Sequence, residues 1–286
     1  MAQATVPPRV AAVHDLSCLG RCALTAVIPV LSALGAQAVP VPTALLSTQT
    51  DGFEGLFFRN LDREMDEITN HFSRLGLSFD AIYSGFLGSV EQIERVIALT
   101  EKFPARLVMI DPVMGDDGAL YQTFTPDLVE GMKRLCVHAD LITPNYTEAC
   151  FLTDTPYRPT DDMDETTLES LLADLMSKLL ALGPRRVVIT GIVTGDKVRT
   201  VATDGKHPFV CDRPRLAARY PGTGDIFAAT TLGGMMRGLS LYEALKLAVD
   251  FTLETILVTR SDPHAAWYGV EFERALPMLY KRLGEA

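Results

Sequence analysis

The segment Leu107-Val108-Met109-Ile110-Asp111-Pro112-Val113-Met114-Gly115-Asp116-Asp117-Gly118 decides the fold. Its first four residues are apolar without alternation, and the chain then turns abruptly polar. A short run that is apolar on both faces predicts a strand covered on both sides, as in a parallel sheet between helices. The same grammar recurs outward in both directions. Downstream, Leu141–Thr143 leads into Pro144-Asn145-Tyr146-Thr147-Glu148, and Val187–Thr190 leads into Gly191. Upstream, strands are expected at Arg9–His14, Ala38–Val41 and Ala81–Tyr83, each followed by a polar or glycine-containing loop.

Helical patterns fill the intervals. Cys22–Leu34 predicts a helix stopped at Gly35, and Leu61–Arg74 an amphipathic one. Ser89 and Gln92 have capping-box spacing ahead of a helix to Lys102, and Thr125-Pro126 opens another that ends near Val137. Further helices are expected over Leu168–Leu182, Thr223–Arg237, Leu241–Thr259 and Phe272–Arg282, with Ser240 and Glu243 as a second capping box. Asp204-Gly205 between Lys197–Thr203 and Pro208–Cys211 predicts a hairpin. This alternation gives the fold expectation: a single-domain α/β/α sandwich over residues 1–286, with a mostly parallel central sheet. Thr153–Asp164 reads as a surface loop, with a mobile flap as the alternative.

Bulk properties narrow the function classes. The 286 residues are 48% hydrophobic and 22% charged, enough for a substantial core without cross-links. A net charge of −10 disfavours nucleic acid or an anionic membrane surface as partner, because both need a basic footprint. The five cysteines form no C-x-x-C pair, so neither a disulfide framework nor a structural zinc site is expected. Met1–Pro8 has no apolar stretch and no run reaches membrane-span length, so the cytosol is the expected compartment.

In open parallel sheets, ligands sit beyond the carboxyl ends of the strands, so the loops just noted are the places to look. The strongest local signal is Pro221-Gly222-Thr223-Gly224-Asp225, directly before an apolar helix. Two glycines let the backbone turn tightly and present N–H groups, and the helix start adds its dipole; together they suit an anion such as a transferring phosphoryl group. An Asp in the first turn can take the proton of an attacking hydroxyl. The same Asp would also serve as an ordinary helix-start residue. Asp111 and Asp116, in the loop after the first-quoted strand, offer oxygen ligands for hydrated magnesium, or merely a polar turn. Asn145 and Glu148, three apart, can hold metal, water and phosphate oxygen, or cap a helix. Asp15, Ser47–Phe53 and Tyr83–Ser89 set polar groups beside aromatics, a fit for a small aromatic ring.

D-P-V-M-G-D (111–116), T-P-N-x-x-E (143–148) and G-T-G-D (222–225), in that order, resemble the vitamin B6 kinase branch of the ribokinase-like family. The resemblance extends to Gly20, L-S-T-Q-T (46–50) and Y-S-G-F-L-G (83–88), and so covers essentially the whole chain. It implies a homodimeric α/β/α kinase using ATP and Mg2+, with a monovalent cation as a further possible cofactor. The implied reaction moves the γ-phosphoryl of ATP to the 5′-hydroxymethyl of pyridoxal, pyridoxamine or pyridoxine. By position, Asp225 matches the catalytic base and Gly222, Thr223 and Gly224 the anion hole. Asp111, Thr143, Asn145, Glu148, Thr190 and Arg213 match the ATP site, with Asp116 and Glu148 toward the metal. Asp15, Thr50 and Phe86 match the substrate side. Three positions depart from the family pattern: Asp15 stands where many relatives carry Ser, Gln49-Thr50 replaces H-T, and Phe86 replaces a stacking tyrosine. A hydroxymethylpyrimidine kinase of the same fold and a non-catalytic ligand-binding relative are the alternatives.

Overall fold

The computed structural model describes residues 6–216 and 219–284. In chain order the first elements are β1 (Arg9–Leu19), α1 (Ala23–Ala33), β2 (Gln37–Thr48), β3 (Phe58–Asn60), α2 (Asp62–Arg74), β4 (Ala81–Ser84) and α3 (Val90–Lys102). Next come β5 (Leu107–Ile110), β6 (Gly115–Asp116), β7 (Ala119–Leu120), α4 (Pro126–Cys136), β8 (Leu141–Ile142), α5 (Tyr146–Leu152) and α6 (Glu165–Ala181). The last are β9 (Arg186–Thr194), β10 (Lys197–Thr203), β11 (Pro208–Pro214), α7 (Thr223–Met236), α8 (Leu241–Arg260) and α9 (Phe272–Gly284). The fold is α/β, with a large, mostly parallel central sheet flanked by helices. No helix among the described residues is long and apolar enough to cross a membrane.

The chain groups into two compact units. Among the described residues, the first comprises 6–82, 103–106 and 219–284, and the second 83–102 and 107–216. In the first, β1 pairs in parallel with β2, and β3 adds antiparallel to the far end of β2. Val10–Val13 are fully buried, as a strand covered on both faces requires. The apolar helix α7 packs on α1 and α8, and its residues Ile226–Gly234 are buried.

In the second unit, β5, β8 and β9 run parallel, and β10 and β11 continue antiparallel as the expected hairpin. Leu107–Ile110 and Val187–Ile189 are buried on both faces, which bears out the reading that led to the fold. β5 and β8 end abruptly, so Asp111 and Thr143 lie just past them, whereas β9 runs beyond the expected end at Thr190 to Thr194 and keeps Thr190 in its middle.

Several boundaries differ from expectation. Strand β1 runs five residues past His14, to Leu19, so Asp15 and Ser17 lie on a strand and not in a loop. The register against β2 shifts between His14 and Leu16. Such a bulge re-aims the side chains beside it. Strand β2 is also longer than Ala38–Val41, although it contains Pro40 and Pro42. Those prolines precede the stretch that β3 covers, so their missing N–H groups cost no pairing to β3. The Ser89–Gln92 box closes differently: Ser89 Oγ accepts from Gln92 N–H, but the Gln92 side chain accepts from Gly88 N–H at 2.8 Å.

Candidate active site

The first unit carries the G-T-G-D turn. Gly222 is the N-cap of α7 with φ +81°, in the left-handed region that favours glycine. A Cβ there would come within 2.0 Å of the Arg21 carbonyl oxygen, so this turn lies directly on the Gly20-Arg21-Cys22 loop. That loop answers with a bond of its own. The backbone N–H of Ala23 donates to Asp225 Oδ2 at 2.9 Å. Ala23 itself has φ +45°, unusual for a residue with a side chain. Strain of this kind persists where the surroundings over-determine it, and it concentrates at functional sites.

Asp225 belongs to an acidic group. Burial pushes its carboxyl up to about 7; the Ala23 bond opposes this, and the charge of Asp15 adds to it. Asp15 is buried on β1, is raised by the same desolvation, and accepts a hydrogen bond from the Ser17 hydroxyl at 2.8 Å. The Cys22 thiol beside them is held protonated by burial and by both carboxylates. A carboxylate poised near neutrality at the start of a helix can accept a proton from an alcohol at working pH. The first backbone N–H groups of α7, at Thr223, Gly224 and Asp225, lack intrahelical acceptors by position and suit an anion. A Cβ on Gly224 would meet nothing within 4 Å.

The second unit gathers the other motif. Glu148 is buried at the start of α5 and accepts N–H bonds from Asn145 at 2.7 Å and Met114 at 3.1 Å, with Gly115 contributing a third. Burial raises its carboxyl to about 8, and the nearby Asp116 charge also raises it. Asn145 caps the helix through Oδ1 and donates from Nδ2 to the Gly115 carbonyl at 2.8 Å. The pair that starts α5 thus also pins the loop after β5. Thr147 Oγ1 accepts from Gly118 N–H, fixing the far end of that loop.

These contacts frame a cavity of about 90 Å³ whose lining includes Asp116, Asn145, Tyr157, Thr160, Asp161 and Arg215. Of the residues expected at the ATP and metal sites, Asn145 and Asp116 reach this lining, and Glu148 holds the backbone of Asn145 and of Met114 and Gly115 ahead of Asp116. Thr190 bridges to Asn145 and its N–H donates to the Pro144 carbonyl, while Gly191 lines the cavity. Asp111 and Thr143 are buried at the ends of β5 and β8. Arg213 stays on β11, where it donates to the Asp212 carbonyl and to Cys211 Sγ. The arginine of the cavity is Arg215, paired with Asp161 at 2.8 Å. Phe86 is half-buried and meets Phe124 edge-on at 6.1 Å. Thr50 is exposed in the loop after β2.

Sequence reasoning missed Ala23, whose role is a backbone N–H that no side chain signals. It also missed Tyr157, Thr160 and Asp161, which lie in the Thr153–Asp164 stretch read as a plain loop. Among the described residues, no three His, Cys, Asp or Glu side chains converge on one metal position.

Comparison with known proteins agrees with this chemistry. The family model described as phosphomethylpyrimidine kinase matches residues 19–266. A pyridoxal kinase, PdxY, of Leifsonia xyli is 30% identical over 250 residues, 82% of this chain and 83% of its own. A phosphomethylpyrimidine kinase-like protein of Bacteroides thetaiotaomicron, solved with pyridoxal, superposes with a TM-score of 0.89 at 38% identity, covering 96% of each chain. The pyridoxal kinase of Lactobacillus plantarum gives 0.89 at 30% identity, covering 98% of this chain and 99% of its own. The chain is a kinase that belongs to the phosphomethylpyrimidine kinase family of ribokinase-like enzymes.

Proposed function

We propose that this chain, acting as one kinase domain, transfers the γ-phosphoryl of ATP to the 5′-hydroxymethyl group of a B6 vitamer. The observation that carries the reading is the Asp225 carboxylate: raised toward neutrality, fixed by Ala23 N–H, and set at the head of α7. Relatives that name pyridoxal support the ring class. In this mechanism Asp225 orients the substrate hydroxyl and takes its proton. The N–H groups of residues 222–224 meet the charge that grows on the phosphoryl oxygens, a contribution typically worth about 3–4 kcal/mol of barrier. Asn145, Thr190 and the loop over 111–118 hold the nucleotide phosphates.

Magnesium fits the donor set. Mg2+ is usually held by one or two carboxylates together with phosphate oxygens and waters. The exposed Asp116 supplies one such carboxylate, and Glu148, with its lone pairs largely taken by backbone N–H groups, acts through water. The metal would supply charge neutralisation on the β and γ oxygens.

An ADP-release assay with pyridoxal, pyridoxamine, pyridoxine, hydroxymethylpyrimidine and a sugar panel tests the reading. Turnover with one or more pyridines, and none or much less with the pyrimidine, is the expected outcome. Preference for the pyrimidine would replace the substrate assignment. No turnover with any alcohol would leave a ligand-binding relative.

A further inference from the structure

Trp267, the single tryptophan of the chain, is half exposed and lies outside every motif used so far. Its ring fills the space that a side chain at Gly52 would occupy: a Cβ there would come within 2.6 Å of Cζ3. It meets the Phe53 ring at a centroid distance of 4.7 Å, and Tyr268 meets the same ring at 5.9 Å. The turn over 267–269 therefore holds the loop that follows β2.

The same turn touches the loop that serves Asp225. A Cβ on Gly269 would come within 2.6 Å of Arg21 Cβ, and the Arg21 guanidinium lies 6.0 Å from the Tyr268 ring centroid. Arg21 Nε also donates to Glu273 at 3.0 Å. Arg21 is the residue whose carbonyl meets Gly222, two positions before the N–H that binds Asp225. The two loops contact each other as well. Gln49 N–H donates to the Leu19 carbonyl, and a Cβ on Gly20 would sit 3.4 Å from Gln49 Cβ. Gln49 is 4% exposed, yet its Oε1 has no hydrogen-bond partner among the described residues. A buried acceptor without a donor is costly unless a ligand supplies one.

We propose that Trp267 is a positioning residue. Through Phe53 and Gly52 it fixes the loop over 49–53 against the Gly20–Cys22 loop, so that Gln49 is preset for a donor on the vitamer. The inference rests on the kinase reading and deepens it, by assigning vitamer affinity to a residue that touches neither the phosphoryl group nor Asp225. An aromatic tie of this sort stabilises the bound-state loop before the ligand arrives, and it is read as KM rather than kcat.

The experiment compares wild type, Trp267→Phe and Trp267→Ala, titrating pyridoxal at saturating ATP and ATP at saturating pyridoxal. Losing one aromatic contact of this size should raise the vitamer KM about tenfold in Trp267→Ala. The kcat and the KM for ATP should stay near wild type, and Trp267→Phe should recover most of the loss. Trp267 is also its own reporter. Adding pyridoxal without ATP to wild type, or to Asp225→Asn, should shift its emission maximum and lower its quenching by acrylamide. An unchanged vitamer KM in a folded Trp267→Ala, or a loss shared equally by kcat and both KM values, overturns the proposal. So does an emission maximum indifferent to pyridoxal in an enzyme that phosphorylates it. If no vitamer is phosphorylated while the emission still responds to pyridoxal, the kinase reading fails and the positioning role stands.

Discussion

Asp225 and Ala23, 202 residues apart in sequence, are joined by a 2.9 Å hydrogen bond from the Ala23 N–H to the carboxylate. The bond fixes the orientation of the carboxylate proposed to face a substrate hydroxyl. It comes from a residue held at φ +45°, on a loop pressed against Gly222. One arrangement therefore sets both the proposed base and the turn whose N–H groups are proposed to meet the anion.

Asp225→Asn keeps the Ala23 acceptor and removes the base. Turnover should fall by about 10²–10⁴-fold with ATP binding retained, measured by ADP release and nucleotide titration. Stability should move the other way. The folded value of about 7 lies above 3.8. The native state therefore holds the proton where the unfolded chain releases it, and this contribution is full below about pH 4 and lost as pH rises through about 7. At pH 8 Asp225→Asn should be more stable than wild type, by on the order of 1–3 kcal/mol, and the gap should close in acid. Denaturant melts at pH 5 and pH 8 check this, and a gap that widens in acid would contradict it.

Gly222→Ala and Gly224→Ala separate turn geometry from ligand approach. At 222 an alanine meets both a left-handed φ and the Arg21 carbonyl, so roughly 2 kcal/mol or more of stability should go, along with activity. At 224 the added methyl meets no protein atom. Thermal stability should be near wild type there, and a drop in kcat/KM would then report an anion that needs the bare backbone.

Glu148→Ala would strand the N–H groups of Met114, Gly115 and Asn145 in a buried setting. A cost of about 2–4 kcal/mol follows from unsatisfied donors. Because the same bonds pin the loop that carries Asp116, the KM for ATP should rise more than the KM for pyridoxal. Steady-state kinetics at subdenaturing temperature, with chemical melts alongside, measure both. A rise confined to the vitamer would refute the assignment of this loop to the nucleotide.

How much of this was legible in the sequence follows from range. Leu107–Ile110, Val187–Ile189 and the G-T-G-D turn are local patterns, and the structure places them as strands and a helix start. The T-P-N-x-x-E motif was ambiguous between cap and site; the structure shows the cap, and the same pair also ties down the loop after β5, which leaves the proposed site role compatible with it. What stayed hidden depends on pairing across the chain. The strand expected at Ala38–Val41 runs on through Pro42 to Thr48, an extension that a proline argues against unless one edge is free there. The bulge after His14 could not be seen without its partner strand. Arg213 was named from the resemblance alone, and only the course of the chain out of β11 places Arg215 in the cavity lining instead.

Asp15→Ser tests whether the departure at this position sets both charge and vitamer choice. Asp15 is buried, and its charge is one cause that raises Asp225. Removing it should lower the Asp225 value, so the acid limb of kcat/KM, near pH 7 in wild type, should move to lower pH. A carboxylate near the ring also favours a protonated ring nitrogen or the amine of pyridoxamine through a charge-assisted bond. The variant should therefore lose more kcat/KM with pyridoxamine than with pyridoxine. Both readouts come from one set of pH-dependent ADP-release assays. An unmoved acid limb would mean that Asp15 does not act on Asp225, and an unchanged order of vitamers would mean that it does not meet the substrate.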